Sequence, residues 1–84
     1  MTAREQVRSY VQKVLKENKD DTAPFSDSDS LVMSGRLSSL DVVDVLTFLE
    51  GAFNFEMDPN EFDQAKFDTV DSIVKMLEDK RQHA

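Results

Sequence analysis

Residues 34–46 read SGRLSSLDVVDVL: a glycine bend, a pair of serines, then an apolar run spaced by carboxylates. A helix has to start here. Ser38 stands where the N-cap belongs, and Asp41 follows three residues later, the spacing at which cap and third residue satisfy each other's backbone N–H groups. Gly35 permits the bend ahead of the cap. From Ser39 to about Phe53, Val42, Leu46, Leu49 and Phe53 share one helical face. Leu40, Val43, Val45 and Phe48 widen that face, while Asp41, Asp44 and Glu50 stay polar. A helix this apolar belongs at the centre of a small bundle. The cap uses one serine. Ser39 then takes the first helical position, its hydroxyl beside unpaired backbone N–H groups at the positive end of the dipole, a setting suited to a phosphate ester.

Outward from this helix the pattern stays helical. Val7, Val11, Val14 and Leu15 form one stripe of an earlier amphipathic helix, begun by Thr2 or Ala3 and ended near Asn18. NKDDTAPFSDSDSLVMSGR, residues 18–36, is turn chemistry and predicts a long first loop, pinned to the core by Phe25, Leu31 and Val32. Residues 54–66 are irregular, with Pro59 favouring a turn or the first position of a short helix. Asp68 or Thr69 caps the last helix, whose stripe is Val70, Ile73, Val74 and Leu77. Lys75, Lys80 and Arg81 sit toward its C-terminal end, where the dipole favours cations. The prediction is an all-α bundle of four helices, three long and one short, forming a single domain over residues 1–84.

Composition narrows what such a bundle can do. Eighty-four residues without a cysteine leave no thiolate nucleophile, no disulfide framework and no Cys-based metal site. Residues 1–19 carry five Lys and Arg against two acidic groups, net +3, whereas residues 20–84 carry fifteen Asp and Glu against five basic groups, net −10. This balance disfavours nucleic acid and anionic membrane and favours basic patches on proteins. Asp27 invites an EF-hand reading, but Val32 and Ser38 occupy the glycine and glutamate places of that loop. His83 has no partner with which to form a dyad, and Ser39 lacks a base, so no catalytic residue and no metal site are expected. Met1, Met33, Met57 and Met76 read as gap-fillers or surface residues. The opening residues lack an apolar signal core and no run is long enough to span a bilayer, so a cytoplasmic monomer is the expectation.

SGRLSSLDVVDVLTFLEGAF, residues 34–53, resembles the modification-site helix of acyl carrier proteins, in which a glycine and an apolar residue precede an Asp-Ser-Leu triplet and an acidic amphipathic helix follows. Gly35, Leu37, Ser39, Leu40, Asp41, Val43, Asp44, Leu49, Glu50 and Phe53 occupy matching places, and Leu31 and FDTVDSIVKML, residues 67–77, extend the likeness over nearly the whole chain. One position departs from it: Ser38 stands where the family has Asp, keeping the cap and losing the charge. The resemblance implies 4′-phosphopantetheine attached covalently to Ser39 by a phosphopantetheinyl transferase. It also implies a docking face of Leu40, Asp41, Val43, Asp44, Glu50 and Glu56 for a loading ligase and for downstream transferases or synthases.

FNFEMDPNEFDQAKFDT, residues 53–69, with Phe53, Glu61, Phe62, Asp63, Phe67, Asp68 and Thr69, is similar to the D-alanine carrier proteins, as is the MSGRL approach at residues 33–37. That likeness implies an aminoacyl or specialised acyl cargo in preference to bulk fatty acid synthesis. A long acyl chain would need an interior cavity lined by Val43, Leu46, Phe62, Phe67 and Ile73, and the two aromatics are expected to fill it. From a different class, an unmodified acidic helical adaptor for basic partners explains the charge and the bundle, but not the exposed serine at the helix start.

Overall fold

A computed structural model describes residues 2–82, with side chains through Lys80; His83 and Met1 lie outside the described residues. Among the described residues there are three α-helices: α1 (Ala3–Lys19), α2 (Ser39–Phe53) and α3 (Val70–Gln82). The short fourth helix expected around Pro59 is instead two 3-10 turns, Pro59–Glu61 and Gln64–Phe67. Each turn is begun by an aspartate, Asp58 and Asp63, whose carboxylate accepts a backbone N–H two residues on, a local bond that competes with continued α-helix.

Both long connections begin where a residue enters the left-handed region. Asp20 (φ 52°) ends α1 and Asn54 (φ 56°) ends α2, each turning its N–H back onto the last helical carbonyls. Asn18 is therefore not the terminator expected of it; α1 runs one residue further, and its amide serves another purpose. Gly35, at φ 86°, closes the bend before α2, where a β-carbon would strain the backbone.

The core draws on all three helices, the first connection and the second 3-10 turn. Val7, Val11, Val14 and Leu15 of α1, Val42, Val45 and Leu49 of α2, and Val70, Ile73, Val74 and Leu77 of α3 are buried together. Phe25, Leu31 and Leu37 from the first connection join them, with Val32 half-buried. Helix α1 packs on both α2 and α3. These two meet through the second 3-10 turn instead of directly, and its Phe67 is wholly buried with the Phe62 ring 5.7 Å away. Tyr10 stacks on Phe48 at 5.5 Å across the α1–α2 seam.

Asp68 fixes the first connection against the start of α3. Its carboxylate accepts from the Ser30 hydroxyl at 2.8 Å and from the N–H groups of Val32 and Met33 at 2.9 Å each. Its carbonyl accepts from Leu31 N–H at 2.7 Å. The Met33 N–H, ahead of the opposing effect of burial, holds this carboxyl below the usual range, with Ser30 and Val32 adding to it. Thr69 takes the cap itself, accepting from Ser72 N–H at 3.0 Å. At the far end of the loop, the Arg36 guanidinium grips Asp21 through two bonds, and both Arg8 and Arg36 lie over the Phe25 ring.

Asp68→Ala leaves three donors without their acceptor and should cost about 2 kcal/mol. For a domain this small that is a melting point lower by roughly 8–16 °C. Thermal unfolding followed by circular dichroism checks this. A loss within a degree or two would mean that the loop is held by its apolar anchors alone.

Candidate functional site

The site assembles where α1 ends and α2 begins. The capping box at the head of α2 is complete: Asp41 N–H donates to Ser38 Oγ at 3.3 Å, and Ser38 N–H donates to Asp41 Oδ2 at 2.8 Å. Ser38 is thus occupied as the cap. Ser39 is the first residue of α2 and is exposed. Its hydroxyl accepts a hydrogen bond from the Gln64 side-chain amide at 2.8 Å, across from the second 3-10 turn.

Asp41 differs from its expected role. Expected on the docking face, it is only 3% exposed. Besides the capping bond, its Oδ1 accepts from the Asn18 amide at 2.7 Å and its Oδ2 lies 3.2 Å from the Lys19 ammonium. Lys19 also donates to the carbonyls of Gly35 and Arg36, at 3.2 and 2.6 Å. The carboxylate is a joint between α1, the approach loop and α2, and every surface it could offer a partner is taken. Burial alone would raise its pKa, but the Ser38 N–H, the Asn18 amide and the Lys19 ammonium outweigh that and hold it below the usual carboxylate range.

Of the other expected docking residues, Leu40 is 78% and Val43 47% exposed, and Asp44 and Glu56 are exposed. Asp44 also accepts from the Asn18 amide at 3.0 Å. Glu50 is half-buried and accepts from Met57 N–H at 2.9 Å, pinning the start of the second connection. Met33, 82% exposed, stands with Leu40 and Val43 as the large apolar side chains that the described surface leaves in water. An exposed serine at a helix start, with Leu40 next to it and Val43 one turn on, and with carboxylates on the same helix, offers an acceptor hydroxyl framed for protein contact. Among the described residues, the side chain at hydrogen-bond distance from that hydroxyl is the Gln64 amide, which is neither base, acid nor metal ligand.

The residues expected to line an acyl cavity separate. Phe67 and Ile73 are closed into the core, Leu46 and Phe62 are half-buried at its edge, and Val43 faces solvent, so it cannot line an interior space. An open hollow beside α3, about 620 Å³ and bordered by Met57, Lys66 and Met76, includes none of Ser39, Val43 or Leu46. Sequence reasoning missed Gln64, Asn18 and Lys19, because each meets the site across a gap in the chain that no local pattern records.

Comparison with known proteins bears on this geometry. The family model described as a phosphopantetheine attachment site matches residues 5–77. The solution NMR structure of a holo acyl carrier protein from Nitrosomonas europaea superposes with a TM-score of 0.76 at 31% identity, covering 99% of this chain and 100% of that one. No curated protein sequence matches significantly. None of the helices among the described residues is long and apolar enough to cross a membrane.

Because folding lowers the Asp41 pKa, its contribution is fully present above the unfolded value near about 3.9 and fades as pH falls through the folded value. Asp41→Asn should therefore be less stable than the parent at neutral pH, by about 2 kcal/mol. The difference should shrink as pH drops below about 4. Urea unfolding at a series of pH values measures this; a gap that is constant down to the acid limit would remove the carboxylate charge from the account.

Proposed function

Since this chain belongs to the phosphopantetheine-attachment family of acyl carrier proteins, we propose that Ser39 is the residue that carries its covalent 4′-phosphopantetheine. The observation that carries the assignment is the division of labour within the serine pair. Ser38 is consumed by the capping box, while Ser39 is exposed at the first helical position with its hydroxyl outside the cap. Attachment forms a bond from Ser39 Oγ to phosphorus, with the hydroxyl proton passing to the transferase and its donor's phosphoanhydride bond breaking. When attached, the arm supplies a terminal thiol that holds an acyl or aminoacyl group as a thioester. Ser39 Oγ is the reacting atom this chain supplies, with the Gln64 amide donating to it, and the residues around it present it to partners. They set the address, and the chain's role is that of a carrier and not a catalyst.

That address is Leu40 and Val43, exposed and apolar, with Asp44 and Glu56 as exposed carboxylates and Glu50 partly withdrawn. Carboxylates steer a basic partner at long range and the two apolar side chains are covered on contact. Asp41 is left out of this surface; it supports Ser38 and so the direction from which Ser39 is presented. The absent Asp before Ser39 also makes the charge at the mouth of α2 weaker, so Asp44 carries more of the steering. The partners proposed are a phosphopantetheinyl transferase, a loading ligase and a downstream transferase or synthase.

A short or polar cargo is favoured over a long acyl chain. Phe67 and Ile73 have no exposed surface, and Val43 lies outside the interior. A buried chain would therefore have to open the seam that the second 3-10 turn closes between α2 and α3.

Two measurements test the proposal. With a phosphopantetheinyl transferase and coenzyme A, the parent and Ser38→Ala should gain one phosphopantetheinyl group by intact mass, and Ser39→Ala should gain none. Asp44→Lys should be modified more slowly at low ionic strength, with the gap closing as salt screens it. A mass gain in Ser39→Ala would move the attachment site elsewhere.

For cargo, the holo protein is loaded with thioesters of increasing length and melted. Short groups that stay in water should leave the melting point unchanged. A chain taken into the core would instead add up to about 0.8 kcal/mol per methylene, and a steady rise of that kind would favour a fatty-acid carrier.

A further inference from the structure

The Gln64–Ser39 bond joins residues that helix α2 and the first 3-10 turn separate along the chain, and it ends on the hydroxyl proposed for attachment. Gln64 is not on a loose loop. It begins the second 3-10 turn, where Asp63 accepts from the Ala65 N–H at 3.0 Å through its carboxylate and from the Lys66 N–H at 3.0 Å through its carbonyl. Three residues on, Phe67 is locked in the core, and Asp68 holds the first connection immediately after it. The Gln64 backbone is therefore fixed by burial on one side and by a turn on the other. Its half-buried side chain reaches Ser39 Oγ at 2.8 Å, the one hydrogen bond that this hydroxyl makes among the described residues.

The chemistry of an amide suits this position before and after attachment. Its N–H occupies a lone pair of the hydroxyl and leaves the O–H proton free for removal by a transferase. Once the oxygen is esterified it becomes a poorer acceptor, while the charged oxygens on the adjoining phosphorus become much better ones, and charge-assisted bonds are shorter and stronger than neutral ones. The same amide can follow that shift with a rotamer change, without moving the turn. A carboxylate there would repel the phosphodiester.

Resting on Ser39 as the attachment site, we propose that Gln64 is a positioning residue. It holds the unmodified hydroxyl and, after attachment, donates to the phosphodiester, tying the root of the arm to the turn between α2 and α3. The free end of the arm keeps its reach, and its first bonds are restrained.

The Gln64 side-chain amide is itself the probe. In the unmodified protein, 15N-edited NMR should show its NH2 resonances displaced in Ser39→Ala relative to the parent, which tests the hydrogen bond without any modification. After treatment with transferase and coenzyme A, intact mass first establishes that the parent, Gln64→Ala and Gln64→Glu are modified. The parent's Gln64 NH2 resonances should then shift again between apo and holo. The 31P line of holo Gln64→Ala should narrow by roughly a factor of two as sub-nanosecond motion replaces overall tumbling, with Gln64→Glu narrowing likewise. A purely structural role for Gln64 would not change the phosphorus line. If the parent is modified but its Gln64 resonances and the 31P widths of all three proteins coincide, Gln64 positions nothing. If Ser39→Ala leaves the Gln64 resonances in place, the hydrogen bond is absent and the proposal falls with it. If the parent gains no mass, the carrier reading fails first, and this role fails as a consequence.

Discussion

One buried carboxylate joins the end of α1 to the start of α2, and the geometry around Ser39 depends on it. Asp41 takes the Ser38 N–H, the Asn18 amide and the Lys19 ammonium at once, and Lys19 in turn takes the carbonyls of Gly35 and Arg36. The end of α1, the bend before α2 and the first turn of α2 therefore cannot move independently. Asp41 is 3% exposed, and a carboxylate so buried needs these donors to offset its lost hydration, so the arrangement is held as a unit. Ser39 inherits its position from that unit, one residue beyond a cap that is itself clamped.

The second 3-10 turn plays the corresponding part on the other side. Helices α2 and α3 do not pack on one another, so the space between them is filled by Phe67 and its neighbours. A regular short helix there would present a continuous face. The paired aspartate-begun turns instead bring Gln64 over the start of α2 while keeping Phe67 in the core. Local turn chemistry thus decides which side chain overlooks Ser39.

What the amino-acid order revealed follows from the range of each interaction. The Ser38–Asp41 box spans four residues and is written in the types at those positions, so the helix start and the spare serine were both legible. The stripes of α1 and α3 were legible because one side of each helix is polar. Helix α2 is apolar nearly all round, and periodicity alone could not separate Val42, which is buried, from Val43, which is not. Asp41 looked like a surface charge because its partners Asn18 and Lys19 are more than twenty residues away. For the same reason Asn18 looked like a terminator. The aspartates at 58 and 63 gave the missing signal for turns in place of a fourth helix, since each offers its backbone a bond that helix would forgo.

Met33 carries a consequence of a different kind. With 82% of its surface in water, its thioether meets a dissolved oxidant long before that of Met76, which is 6% exposed in the core. Conversion to the sulfoxide makes a flexible apolar side chain polar and is reversed by dedicated reductases. At Met33 that change would fall on the apolar exposed surface and leave the bundle's interior intact. Oxidation at Met33 would thus change the chemistry of the surface, with the fold unharmed and the lesion repairable.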